Sequence, residues 1–271
     1  MALDYPALLS DLRFESAHLM SVLGELTSEQ WDAATPASGW AVRDQVSHLA
    51  FFDDASCTAV TDPDRFRIES AALVAGGMDF PDRIAVDLRT IDSADLRAWF
   101  VRARAQLLTV LTGGDPKDRL PWFGPDMSLA SCATARLMES WAHGQDIYDA
   151  LGITYRNSPG LRSIAHLGVS TFSFVHRLND LPVPDAPVRV ELAAPDSDDV
   201  WIWGPEDAED RVIGPAEDFV FVVTQRRHTR DTTLEVVGDV AATWMSIAQA
   251  YAGAPGTGRA PSTHATAKVS V

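Results

Sequence analysis

Met138-Glu-Ser-Trp-Ala-His-Gly-Gln-Asp-Ile-Tyr-Asp-Ala-Leu-Gly152 is the stretch on which the fold turns. With Leu137 just before it, the apolar residues Met138, Trp141, Ile147 and Leu151 recur at helical spacing, and Gly152 closes the run as a C-terminal glycine does. Ser128 or Ser131 upstream offers a hydroxyl N-cap. The spacing therefore predicts a long helix that is apolar nearly all round, and such a helix belongs inside a core with other helices about it.

Those other helices are found by working outward. Over residues 5–26, Leu8, Leu9, Leu12, Leu19, Val22 and Leu23 trace one amphipathic helix. Thr27-Ser28-Glu29-Gln30 is a capping box for a short helix through Trp31, and Pro36-Ala37-Ser38-Gly39 reads as a turn. Residues 40–55 open a second long helix, with Val42, Val46, Leu49, Ala50 and Phe52 on its apolar face. Ser93-Ala94-Asp95 caps a third, which runs to about residue 111 before Gly113-Gly114. Four long helices with short or moderate connections predict an antiparallel four-helix bundle over residues 1–155. Past Gly152 the texture changes to one more helix over residues 158–178 and a stiff connector, Leu181-Pro-Val-Pro-Asp-Ala-Pro187. Alternating or apolar runs at 188–192, 200–203, 218–223 and 232–237 then predict strands, with a closing helix over 239–251. The expected fold class is α+β: the bundle, a small C-terminal α/β domain over 156–255, and a flexible Gly/Pro/Ser/Thr-rich tail over 256–271.

Composition narrows the function. The net charge of −16 argues against a nucleic-acid partner, whose phosphates call for a basic face, and none is expected. No apolar run approaches the roughly 18 residues of a membrane span, and the N-terminus carries no basic region before its apolar positions. A cytoplasmic location and no membrane partner are expected. Cys57 and Cys132 form no CxxC pair and read as buried, inert thiols.

Glu139 and His143, four residues apart, project from one helix face, and their apolar neighbours turn them inward. A buried carboxylate requires a cation or a donor. His48, in the apolar context Gln45-Val-Ser-His-Leu-Ala-Phe51, adds a second imidazole on another helix. Two histidines and one glutamate are a ligand set of catalytic zinc, with a position left open for water or sulfur; nickel and iron accept the same donors.

Gly39-Trp-Ala-Val-Arg-Asp-Gln-Val-Ser-His-Leu49 resembles the second-helix motif of the DinB-like superfamily, and residues 138–152 resemble the later metal helix of its mycothiol-dependent maleylpyruvate isomerase branch. The resemblance implies His48, Glu139 and His143 as metal ligands and mycothiol as co-substrate. It extends to the C-terminal segment, around Gly214-Pro215, Gln225-Arg-Arg-His228 and residues 248–253, which looks like the module attached to an actinobacterial subgroup. The activity it implies is isomerisation or S-transfer on a small electrophilic metabolite, with a metal-bound thiolate as nucleophile. Such chemistry needs a cationic pocket for a substrate carboxylate. Arg226 and Arg227 are the candidates for it, His228 is a candidate proton shuttle, and Arg43, before His48, is a candidate for the cofactor cavity. Surface arginines paired with Asp231 or Glu235 are the competing reading of Arg226 and Arg227. Two other functions stay open at this stage: a non-catalytic metal- or ligand-binding protein, and a metal-dependent hydrolase. The oligomeric state is not legible.

Overall fold

The computed structural model describes residues 4–155 and 158–262. The chain divides between Gly160 and Leu161 into two compact units. Within the first, Asp4 accepts from the Ala7 N–H to cap α1 (Tyr5–Gly24), and Thr27 with Gln30 closes the expected capping box of α2 (Ser28–Trp31). There follow α3 (Val42–Thr61), α4 (Pro63–Ala75), α5 (Phe80–Asp87), α6 (Ser93–Gly113), a short hairpin of β1 (Arg119–Leu120) with β2 (Met127–Ser128), and α7 (Leu129–Leu151). Ser128 caps α7, and Gly152 ends it in the left-handed conformation that a side chain would disfavour. Helices α4 and α5 fill a stretch for which no element was expected, each with proline in its first turn, where no backbone N–H is lost.

The long helices α1, α3, α6 and α7 pack on one another around Leu19, Leu23, Val46, Leu49, Leu96, Phe100 and Ile147, all buried. A ladder of polar contacts joins α3 to α7: Gln45 to His143, His48 to Glu139, and Asp53 to Arg136. The pairings descend one helix as they climb the other, so these two helices run antiparallel.

The second unit begins with α8 (Leu161–Ser170) and α9 (Phe172–Leu178), where one continuous helix was expected. A four-stranded sheet follows, built of β3 (Val188–Ala193), β4 (Val200–Trp203), β5 (Asp210–Pro215) and β6 (Glu235–Val237) in the order β4-β3-β5-β6. The β3–β5 pair is parallel and the outer pairs are antiparallel. Trp201 and Trp203 pack against α8: Arg162 lies over the Trp201 ring, and the Trp203 indole N–H donates to His166 Nδ1 at 3.1 Å.

Residues 218–223, expected as a strand, are helical in α10 (Ala216–Val223). A continuous apolar run does not by its pattern distinguish a buried strand from a buried helix. Here Pro215 supplies the extended N-cap, Glu217 and Asp218 stand in the first turn where the helix dipole favours negative charge, and Phe219, Val220 and Val223 are buried. Strand β5 was not foreseen. The unit closes with α11 (Asp239–Ile247), shorter than expected, with Trp244 buried. The segment read as a flexible tail is tied down as far as residue 262: Gly256 N–H donates to Gln249 Oε1 at 2.9 Å, and Ser262 Oγ donates to Asp231 at 2.7 Å. The rest of that tail, residues 263–271, lies outside the described residues.

Candidate metal centre

Helix α7 brings Glu139 and His143 to one face, and α3 brings His48 opposite them. Glu139 Oε2 lies 2.9 Å from His143 Nε2 and 3.5 Å from His48 Nε2, and the two imidazole centroids are 4.4 Å apart. Candidate ligand atoms of the three residues all lie within 4.8 Å of one another, close enough for a single ion. Burial lowers the pKa of His48 to about 4, helped by the charge of His143, with Glu139 pulling the other way. His48 is thus uncharged at neutral pH and offers a lone pair. For Glu139, burial pushes the pKa upward, but the hydrogen bonds and charges of His143 and His48 outweigh it and hold the carboxyl well below its usual range.

A relay from a neighbouring loop sets the tautomer of His143. Thr35 Oγ1 donates to the Trp40 carbonyl at 2.9 Å, so its lone pairs face Gln45, whose Nε2 donates to Thr35 Oγ1 at 2.8 Å. That fixes the Gln45 amide with Oε1 toward His143, and Oε1 must accept from His143 Nδ1–H. Nδ1 therefore carries a proton, and Nε2 faces a carboxylate oxygen 2.9 Å away. Across that gap either a second ring proton or a metal ion joins nitrogen to oxygen. With a third ligand at hand in His48, the donor set fits a divalent metal. His48 Nδ1 is buried with no hydrogen-bond partner among the described residues, so of the two imidazoles only His143 has its far nitrogen anchored by a hydrogen bond.

Aromatic rings wall the trio. Trp40 stacks over His143 at 5.9 Å and is held by its indole N–H donating to Asp82 of α5 at 2.7 Å. Phe52 lies 4.5 Å from His48, and Phe66, Phe80, Trp122 and Phe123 continue the wall beyond it. Next along the α3–α7 ladder is a network with no precedent in the sequence reading. Buried Asp53 receives two bonds from Arg104, at 2.6 and 3.2 Å, and one from Arg136 at 3.1 Å. Arg104 also donates to Ser140 at 2.9 Å.

The remaining expected residues are disposed as follows. Arg43 does not join the trio; it pairs with Asp32 at 2.7 Å and donates to the carbonyls of Arg89 and Ile91. Five residues at about 100° each turn it some 140° around α3 from His48. Gln45, at i−3, is the residue that shares the face of His48. Arg226, Arg227 and His228 belong to the second unit. Arg226 donates to Thr224 O at 2.7 Å; Arg227 donates to Arg226 O at 2.8 Å and covers the Phe221 ring; His228 Nδ1 accepts from the Arg230 N–H at 3.0 Å. Cys57 and Cys132 are buried, and burial pushes the Cys57 thiol up to about 12.

A helical unit whose interior gathers two imidazoles and a carboxylate within one ion's reach, followed by a small α+β unit, defines the class of protein. Residues 12–148 match the model of the mycothiol maleylpyruvate isomerase N-terminal domain, and the chain belongs to that family. Two uncharacterized proteins of Mycobacterium tuberculosis, one from each of two strains, are 45% identical to it over 251 residues, spanning 93% of this chain and 97% of theirs. The crystal structure of mycothiol-dependent maleylpyruvate isomerase shares the fold with a TM-score of 0.58 at 16% identity, over 83% of this chain and 90% of that one. A mutant of that enzyme gives 0.57 at 15% identity. No helix among the described residues is long and apolar enough to cross a membrane.

Proposed function

We propose that the chain is a metal-dependent enzyme that uses mycothiol to isomerise or S-conjugate a small electrophilic metabolite. In this reading α1, α3, α6 and α7 form the antiparallel four-helix bundle, and His48, Glu139 and His143 hold zinc. When bound, the metal is a Lewis acid that lowers the pKa of a coordinated thiol and so supplies the nucleophilic thiolate. The chain's own residues prepare that site. Gln45 keeps the His143 Nε2 lone pair directed inward, Glu139 stays ionised, and Trp40 with Phe52 keeps water from the ligand atoms. The substrate carboxylate is assigned to Arg226 and Arg227, whose planar guanidinium groups match it, and His228 is assigned proton transfer.

The observation that carries this reading is the gathering of the three candidate ligand atoms within reach of one ion, Glu139 Oε2 lying 2.9 Å from His143 Nε2 and 3.5 Å from His48 Nε2. Its support beyond this chain is membership in a family described by a mycothiol isomerase. The test is elemental analysis of the purified protein and of its His48→Ala variant, with a cobalt-substituted sample titrated with mycothiol. About one metal per chain, lost in the variant, with a sulfur-to-cobalt charge-transfer band on adding thiol, is the expected result. Folded wild-type protein that takes up no metal after loading would overturn the proposal, and bound metal indifferent to thiols would remove mycothiol from it.

A further inference from the structure

On the rung of the α3–α7 ladder beside the trio stand buried charges that do not cancel. Asp53, Arg104 and Arg136 are each no more than 2% exposed. Arg104 alone satisfies Asp53: its Nε and Nη2 reach the two carboxylate oxygens at 2.6 and 3.2 Å, the forked pairing of guanidinium with carboxylate. Arg136 adds one bond from Nε to Oδ1 at 3.1 Å, and a longer one from Nη2 to the Leu49 carbonyl at 3.4 Å. Two guanidinium groups thus share one carboxylate. Guanidinium keeps its proton in a protein, so the cluster holds a fixed surplus of positive charge. The neighbouring acids do not absorb it. Asp54 turns to α6, where its Oδ2 accepts from the Trp99 indole N–H at 2.7 Å, and Glu139 is taken up by the two imidazoles.

The surplus belongs to Arg136, and it lies close to the trio. Leu49, whose carbonyl it approaches, directly follows His48 in α3. Phe52 touches both: the Arg136 guanidinium carbon is 6.0 Å from its ring centre, and that centre is 4.5 Å from the His48 ring. At roughly 10 Å, and with the effective dielectric constant of about 20 found for protein interiors, one unit charge alters the binding of another by roughly tenfold. The geometry points to Arg136 as an electrostatic positioning residue, whose unbalanced charge draws an anionic donor, in preference to a neutral one, to the open position of a metal held by His48, Glu139 and His143. The inference rests on the proposed metal site and deepens it by naming the charge class of the ligand the site selects. A thiolate is such a donor and water is not. A charge that attracts an anion also repels a metal ion, so its removal has two effects of opposite sign, whereas damaged packing would weaken both kinds of binding.

The experiment loads the full-length protein with cobalt and follows the visible absorption of the metal. Azide, an anion, is titrated in one series and imidazole in another, at about pH 8, where most of the imidazole is uncharged. Arg136→Gln removes the charge, leaves the Arg104 fork on Asp53, and keeps an amide donor in place of the guanidinium. It should weaken azide binding roughly tenfold, leave imidazole binding unchanged, and raise the affinity for cobalt, read by competition with a chelator. Arg136→Lys keeps the charge with a different hydrogen-bond pattern and should bind azide as the wild type does, so it carries the test even if the glutamine variant does not fold. Equal weakening of azide and imidazole in Arg136→Gln, a fall in its cobalt affinity, or loss of azide binding in Arg136→Lys would each overturn the proposal. Wild-type protein that takes up no cobalt would overturn the metal reading and this inference with it. Cobalt bound with an unchanged azide affinity in Arg136→Gln would overturn this inference alone.

Discussion

Asp53 and Glu139 stand on neighbouring rungs of the same α3–α7 ladder and are given opposite company. Asp53 is fully buried and its two oxygens receive three bonds from Arg104 and Arg136, cations that never lose their charge. Glu139 meets only imidazoles, one of them uncharged at neutral pH because burial lowers its pKa to about 4. The first carboxylate is spent on the fold. The second keeps oxygen lone pairs that nothing permanent in the chain neutralises. The same chemical group becomes scaffold or candidate ligand according to whether its partners carry a fixed charge, and the contrast can be broken or sharpened by substitution.

The largest effect is expected at Asp53. Asp53→Ala leaves two guanidinium groups buried without a counter-charge and should cost about 3–5 kcal/mol. Glu139→Gln, which removes a carboxylate facing imidazoles, should cost only about 1 kcal/mol while abolishing metal uptake. Urea denaturation with metal analysis of both variants checks the pair; equal losses of stability would erase the distinction. A smaller effect belongs to Gln45. Gln45→Leu frees the His143 tautomer and should weaken metal binding about 10–100-fold, read by competition with a chromogenic chelator. An unchanged affinity would mean that the relay from Thr35 does not orient the ligand.

The smallest effect tests a third carboxylate. Glu15 is buried, and burial raises its pKa despite hydrogen bonds from Ser158 and Tyr155. A carboxyl raised in the folded state contributes stability that is fully present below the unfolded value and lost as pH climbs through the folded one. Relative to wild type, Glu15→Gln should therefore gain stability as pH rises above the unfolded carboxyl value of about 4.3, seen as a shift in the difference between their urea midpoints. A difference independent of pH would show that Glu15 ionises in the fold as freely as out of it.

How much of this was legible followed from where the information lies. The candidate metal trio was visible as a cluster because Glu139 and His143 share a helix face by spacing, and His48 sits in a quotable motif. Gln45 was equally reachable, three residues before His48. The Asp53 network was not: Asp53, Arg104 and Arg136 come from three helices, and each alone reads as an ordinary solvent-facing charge. Arg43 was chosen for its closeness in sequence to His48, but helical geometry turns it to a different face, where it pairs with Asp32. In the second unit, the Phe219-Val-Phe-Val-Val223 run carried no period, and the deciding signal was the Glu217-Asp218 pair after Pro215. Strand β5 alternates weakly and takes its form from pairing with β3 and β6.

The loop that carries Thr35 contributes no ligand atom, yet its backbone geometry selects which nitrogen of a distant ring carries a proton. Its main chain is closed by Thr35 N–H on Trp40 O at 2.8 Å and Val42 N–H on Ala33 O at 3.0 Å. Opening of that loop, a local event far cheaper than unfolding, releases the amide of Gln45 and lets the imidazole of His143 reverse its polarity. By reciprocity, an ion that demands one tautomer stabilises the closed loop by the same free energy that the loop lends to the ion. In the proposed site, metal affinity and loop closure are thus coupled through a threonine hydroxyl that touches no candidate ligand atom.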